Sequence, residues 1–429
     1  MTPPLAELLR DFLDLPDELA EAAQRAVART EERRARFAAV RAANQLRVLR
    51  AFQEVGVADF HLQGTTGYGY GDAAREVIEA VYARVFETER ALVVPYLVSG
   101  THAIAAALFG VLRPGDHLLY ATGRPYDTLE EAIFGRRGLG SLAEFGVECT
   151  VVPLTAEGHL DLPGIVEALR PTTRMVAFQR SRGYRWEPSR SLAALGEAIA
   201  AVKAAAPGVV TFVDNCYGEF VEDREPPAVG ADLIAGSLIK NPGGGLAPVG
   251  GYVAGRAELV SGAAARATAP GIGGEVGPLL DLARPFLQGF FLAPHFVGEA
   301  LCGAVAAAAL AEECGLPVLP GSGEERTDLV QAIQLGSREA LLAFCQGIQH
   351  NSAVNSRVRP EPAAMPGYED AVIMAGGGFV AGATLELSVD APLRPPFVAY
   401  LQGGLFWEQV VGGTLEGLRN LLQKGLLAR

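Results

Sequence analysis

Ser237-Leu238-Ile239-Lys240-Asn241-Pro242-Gly243-Gly244-Gly245 decides how this chain is read. It sets one lysine between the end of a predicted strand and a glycine-rich turn. Upstream, the apolar run Val209-Val210-Thr211-Phe212-Val213 reads as a buried strand and closes on Asp214. An acid after one strand and a lysine after the next suit pyridoxal phosphate, whose aldehyde takes the lysine as a Schiff base and whose pyridinium nitrogen pairs with the acid. Taken singly, each residue has a plainer explanation. A lysine beside a glycine turn is commonly a solvated charge, and a strand-end aspartate commonly caps a turn or helix.

Around this pair, short apolar runs alternate with helical stretches from about Arg90 onward, the signature of an α/β domain with a mostly parallel sheet. The predicted strands are Ala91 to Val94, His117 to Ala121, Glu148 to Pro153, Met175 to Gln179, Val209 to Asp214, Leu233 to Ala235 and Gly251 to Ala254. Such a sheet binds its ligand at the carboxyl ends of its strands. Ser99-Gly100-Thr101 belongs to that edge: glycine lets the backbone approach a ligand, and the first N–H groups of the helix from Ala103 to Leu112 favour a phosphate. An ordinary Ser N-cap explains the same residues. Tyr126 follows the next strand, where its ring could stack on a flat cofactor or simply pack. Gln179-Arg180-Ser181-Arg182 ends a further strand, so a polar side chain there could meet a ring oxygen or a substrate carboxylate; solvated arginines are the default.

At 429 residues the chain exceeds one core. The sequence divides into a helical arm (1–60), a large domain (61–320) and a small α+β C-terminal domain (321–429) that takes part of the preceding long helix. In the last, the pattern predicts a helix from Thr327 to Cys345, strands at Val372 to Met374, Gly378 to Leu387 and Ala399 to Gln402, and a closing helix from Thr414. The net charge of −13 opposes binding to nucleic acid or anionic membranes. No uninterrupted apolar stretch reads as long enough to span a bilayer, and the start of the chain lacks a secretory pattern. Five scattered cysteines without a CxxC pair, and six histidines without paired spacing, indicate neither a disulfide framework nor a metal site, so a cytoplasmic protein is expected.

In sequence order the chain resembles the fold type I pyridoxal-phosphate enzymes of cysteine and methionine metabolism, and within them the branch called aluminium-resistance or methionine gamma-lyase family proteins. The resemblance covers nearly the whole chain. It is carried by Thr66-Gly67-Tyr68-Gly69-Tyr70-Gly71-Asp72, Val98-Ser99-Gly100-Thr101-His102-Ala103, Gln179-Arg180-Ser181-Arg182-Gly183-Tyr184, Val213-Asp214-Asn215-Cys216-Tyr217-Gly218-Glu219-Phe220, the lysine segment, and Ala269-Pro270-Gly271-Ile272-Gly273-Gly274-Glu275. It implies a transferase-like fold with a mostly parallel sheet of about seven strands flanked by helices. Lys240 would be the Schiff-base lysine and Asp214 the partner of the ring nitrogen. Ser99, Gly100, Thr101 and Ser237 would hold the phosphate, and Tyr126 would stack on the ring. Tyr68 or Tyr70 would reach the phosphate of a neighbouring subunit, which requires a homodimer with shared sites; related lyases are commonly tetramers.

The chain departs from the pattern at Ile239, where related lyases often carry a hydroxyl residue. For the substrate carboxylate, Arg394 is the first candidate, with Arg182 and Gln179 behind it. The implied activity is elimination from a sulfur amino acid such as cystathionine, methionine or cysteine by Cα deprotonation, at the β or γ carbon. Transamination, aldol cleavage and γ-replacement use the same cofactor, and a non-catalytic binding protein linked to metal tolerance is the reading from a different class.

Overall fold

A computed structural model describes residues 3–427. The described residues form two compact units, one of residues 43–183 and 189–293, the other of the remainder, which includes residues 184–188.

The first unit is built on seven strands: β1 (Arg90–Val94), β2 (His117–Tyr120), β3 (Glu148–Val151), β4 (Thr173–Gln179), β5 (Val210–Asp214), β6 (Leu233–Ser237) and β7 (Gly251–Gly255). Their spatial order is β1-β7-β6-β5-β4-β2-β3. The pairs from β6 through β3 are parallel, and β7 runs antiparallel to both of its neighbours. Consequently β1, β2, β4, β5 and β6 all point their carboxyl ends at one edge. Every residue of β2, β5, β6 and β7 is buried, which explains why these segments read as continuous apolar runs without alternation. Leu92, Val94, Leu118, Ala177, Phe212 and Val253 form a core with the helices Gly100–Val111 and Ala257–Ala267. Each such Leu, Val or Phe contributes ~1.5–3 kcal/mol through burial.

The second unit holds an antiparallel sheet of order β10-β11-β12-β9-β8, with β8 Val318–Leu319, β9 Gln331–Gln334, β10 Val372–Gly376, β11 Ser388–Pro392 and β12 Val398–Gln402. Helices Arg338–His350 and Trp407–Gln423 share its core with Ala6, Leu9, Leu19, Ala23 and Ala26 of the helices Leu5–Leu13 and Asp17–Arg29. The start of the arm therefore belongs to this unit's core, and the compact units do not divide at the expected positions 60 and 320.

Several local expectations are corrected. The predicted helix from Thr327 is first a strand, β9, because Gln331–Gln334 pairs on both sides with β8 and β12; the helix starts only after Gly336 turns the chain with φ 76° and Ser337 caps the Ala340 N–H. The predicted strand Gly378 to Leu387 is a loop, folded back because the buried Glu386 carboxylate accepts the N–H groups of Phe379 and Val380. The closing helix begins at Trp407. Finally, Ala283–Glu313 is one 31-residue helix, and over an 18-residue window it is apolar enough to cross a membrane; it is mostly buried within the protein, as a core helix is.

Candidate active site

The turns that follow the converging strand ends carry the predicted residues. Asp214 ends β5, paired in register with Gln179 of β4 and Ala235 of β6. It is buried, and its Oδ1 accepts the N–H of Cys216 at 3.1 Å. Lys240 follows β6 in a tight turn that glycine alone permits: a Cβ on Gly243 would collide with the Leu238 carbonyl, and one on Gly244 with the Gly289 carbonyl. The Lys240 Nζ lies over the Tyr217 ring, 4.1 Å from its centroid. Burial opposes the charge on Lys240, and Coulombic attraction, in which Asp214 is the carboxylate, outweighs it, so the amine binds its proton more firmly than usual. Burial likewise pushes the Asp214 carboxyl up, and the Lys240 charge pulls it back down.

Gly100, first residue of its helix, faces this pair. A Cβ built there would stand 3.2 Å from Cys216 Sγ, 3.4 Å from Ser237 Cβ and 3.9 Å from Lys240 Nζ. The Ser237 hydroxyl is buried beside this helix start and has no hydrogen-bond partner among the described residues, an unusual state for a buried polar atom. Thr101 Oγ1 lies 2.5 Å from the Tyr126 hydroxyl and 2.9 Å from Thr128 Oγ1. Ser99 performs the plainer of its two expected tasks, its Oγ accepting the His102 N–H at 3.0 Å. Chemically, the arrangement is an anion cradle of helix N–H groups and hydroxyls next to an amine and a buried carboxylate.

Behind the site runs a polar network that the sequence pattern does not announce. Fully buried Arg180 donates to Asn215 Oδ1 (2.8 Å) and Glu222 (2.7 Å), while Asn215 Nδ2 donates to Glu225 (2.9 Å). The Tyr252 hydroxyl donates to Glu219 Oε1 at 2.8 Å, and Asn241 Nδ2 donates to the Glu219 carbonyl at 2.9 Å, which ties the residue after Lys240 to the loop after β5. Burial pushes the Glu219 carboxyl up to about 8. The folded state then keeps a proton that the unfolded chain releases near pH 4.5, so this group's contribution to stability falls as pH rises from about 4.5 to about 8. Glu219→Gln, neutral throughout, is expected to match the parent at pH 4.5 and to exceed it by up to ~5 kcal/mol above pH 8. Urea unfolding at a series of pH values reads this directly; parallel curves for the two proteins would contradict it.

The remaining predicted residues are placed differently. Gln179 supports Tyr126, its Oε1 accepting the Tyr126 N–H at 3.1 Å and its Nε2 donating to the Ser181 carbonyl at 2.8 Å. The N–H and Nε of Arg182 both lie 3.2 Å from Ser189 Oγ. Arg394, in the second unit, is engaged by Asp370 at 3.3 Å and by the Tyr184 carbonyl at 3.1 Å. Tyr68 and Tyr70 stack on one another at 5.6 Å and are 75% and 71% exposed. Their loop is pinned from below: the Asp72 carboxylate accepts from Thr65, Arg75 N–H and Leu279 N–H, and Arg75 donates to the Gly69 and Gly277 carbonyls. Among the described residues no cluster of three or more His, Cys, Asp or Glu side chains is arranged to hold a metal ion.

The model of the family described as methionine gamma-lyase matches residues 18–422. The protein YnbB of Bacillus subtilis strain 168 is 50% identical over 386 residues, covering 90% of this chain and 92% of YnbB. A solved structure of a carbon-sulfur lyase involved in aluminium resistance, from Clostridium novyi NT, aligns with a TM-score of 0.93 at 41% identity, over 98% of this chain and 100% of that one. The pyridoxal-5'-phosphate dependent protein YhfS from Escherichia coli aligns with a TM-score of 0.60 over 89% of this chain and 96% of its own; at 18% identity it shares the fold alone.

Proposed function

The chain belongs to the methionine gamma-lyase family and has the fold type I architecture of pyridoxal-phosphate enzymes, and on that premise we propose that it is a carbon–sulfur lyase acting on a sulfur-containing amino acid. The observation that carries this reading is the convergence of the Lys240 amine and the unpartnered Ser237 hydroxyl at Gly100, with the Asp214 carboxylate acting electrostatically on that amine at the same sheet edge.

These residues fit the cofactor. Its phosphate suits the start of the helix Gly100–Val111, where Gly100 and Thr101 offer backbone N–H groups and the unpartnered Ser237 hydroxyl a further donor. Asp214 would face the ring nitrogen, Tyr126 the ring, and Lys240 would bond the cofactor covalently. When bound, pyridoxal phosphate supplies an aldehyde that condenses with amines and a conjugated ring that draws negative charge from the substrate Cα.

The chain itself supplies placement and proton transfer. Asp214, buried and held by the Cys216 N–H, offers a fixed negative charge and would stabilise a proton on the ring nitrogen. Lys240, once its Nζ is free, takes the Cα proton of the substrate and is placed to return protons at neighbouring carbons. Thr101 holds the Tyr126 hydroxyl and Gln179 the Tyr126 backbone, so the ring stays where it is needed. Loss of sulfur from the β or the γ carbon follows the same first proton transfer. A shared site in which Tyr68 or Tyr70 serves a second copy of the chain, in a dimer or tetramer, and a cytoplasmic setting complete the proposal.

The purified protein incubated with methionine, cysteine, cystathionine and homocysteine, with paired detection of keto acid and released thiol, tests this reading. Equimolar keto acid and thiol from any of them supports a lyase. A bound cofactor that yields no sulfur product, and keto acid only to one equivalent unless a 2-oxo acid acceptor is added, would instead mark a transaminase.

A further inference from the structure

Tyr217 is conspicuous on two independent grounds. Its backbone sits at φ 68°, in the left-handed region that a bulky side chain seldom adopts, within a loop where Phe220 also stands at φ 64°. Such a conformation at a residue other than glycine is strained and persists where surrounding structure enforces it, commonly at functional sites. The second ground is where the strain delivers the ring: its face lies 4.1 Å from Lys240 Nζ, within the range at which an ammonium is attracted to the negative face of an aromatic ring. Neither role assigned above, to the phosphate or to the ring nitrogen, uses this side chain.

We propose that Tyr217 is a positioning residue for Lys240, holding the ammonium that forms when the lysine has taken the Cα proton against its ring until that proton is returned. The proposal rests on Lys240 being the cofactor lysine. Physically, a released ammonium in a partly buried site needs a place to go, and the aromatic face supplies one without a competing proton acceptor. Around Lys240 the titratable groups are Asp214 and Cys216 at the end of β5, Tyr217 and Glu219 in the following loop, and Tyr126 after β2. Asp214 supplies the full counter-charge. The Tyr217 face adds direction, keeping the amine at one spot while the substrate occupies the site.

The consequence is a shift in when Lys240 loses its proton. A lysine must be neutral to condense with the cofactor aldehyde, so the pH dependence of cofactor loading reports the amine directly and does not depend on turnover. The full-length chain, stripped of cofactor with hydroxylamine, would be mixed with pyridoxal phosphate over pH 6 to 10 and the growth of the visible band followed; borohydride reduction and peptide mass spectrometry then locate the attachment. Tyr217→Asn is the informative variant, because Asn accepts the left-handed backbone and has no aromatic face. Throughout this range, which lies below the midpoint, its loading is expected to be roughly tenfold faster than the parent's, the effect of a fall of about one pH unit in the midpoint. Tyr217→Phe, which keeps the face and loses the hydroxyl, is expected to load as the parent does.

Labelling of Lys240 at the parent's rate across this range in Tyr217→Asn would overturn this proposal and leave the cofactor reading standing. The same shift in Tyr217→Phe would also overturn it, since the hydroxyl and not the ring would then be responsible. If the parent itself is not labelled at Lys240, the cofactor reading fails and the proposal with it.

Discussion

Lys240→Ala is expected to abolish covalent attachment of pyridoxal phosphate and to lower sulfur amino acid turnover by at least ~10³-fold, the combined loss of a nucleophile and of the group that moves the Cα proton. The prediction follows from position. Lys240 leaves β6 on a turn locked by Gly243 and Gly244 against neighbouring carbonyls, and its Nζ meets the Asp214, Tyr217 and Gly100 side of the strand edge. None of these locking contacts involves the lysine side chain, so the fold is expected to survive the change. The visible band of the reconstituted parent should therefore be replaced by that of free, non-covalently held cofactor, with the phosphate still engaged by Ser237 and Thr101. Removing the ammonium also leaves Asp214 without its counter-charge; since burial already pushes that carboxyl up, it should take a proton at higher pH in the variant. Retention of a borohydride-reducible band in Lys240→Ala would assign the covalent role to another residue.

Much of this site was legible in the sequence, because parallel strands buried on both faces announce themselves as apolar runs and the residue after each run must fall at one edge. Asp214, Lys240, Gln179 and the Gly100 helix start were located that way, and the strand order then brought them together. What escaped was conformation and support. Tyr217 stood in a quoted motif, yet nothing in Asp-Asn-Cys-Tyr-Gly-Glu-Phe says that tyrosine, and not the adjacent glycine, takes positive φ. Tyr252 comes from the antiparallel strand β7, whose side chains reach Glu219 only through a pairing that composition does not encode. Arg180 looked like a solvated strand-end charge and is instead fully buried among Asn215, Glu222 and Glu225. The second unit departs from its sequence pattern for a different reason. Gln331–Gln334 is too short to show a period, and only pairing on both sides makes it a strand, while Gly378 to Leu387 has strand-forming residues that the buried Glu386 carboxylate diverts into a loop.

Asp214→Asn separates charge from shape. The amide oxygen of Asn can still accept the Cys216 N–H, so the end of β5 and its register with Gln179 and Ala235 should be preserved. What disappears is the fixed negative charge at the ring-nitrogen side of the site. With no acid partner, the nitrogen has no reason to keep its proton, the ring draws less charge from the substrate Cα, and turnover is expected to fall by ~10²–10³-fold with the cofactor still attached to Lys240. The effect should be concentrated in kcat, because the charge is needed as negative charge develops and contributes little to holding the substrate. Loss of Asp214 also removes one of the groups that hold Lys240 as ammonium, so the loading midpoint should move to lower pH, in the same direction as for Tyr217→Asn but by a separate interaction. In the double variant the two shifts should add if the carboxylate and the ring act on the amine independently. Steady-state kinetics together with the loading titration distinguish the outcomes: a fall in kcat with an intact covalent band supports the ring-nitrogen role, whereas parent-like kcat in Asp214→Asn would remove Asp214 from the chemistry altogether.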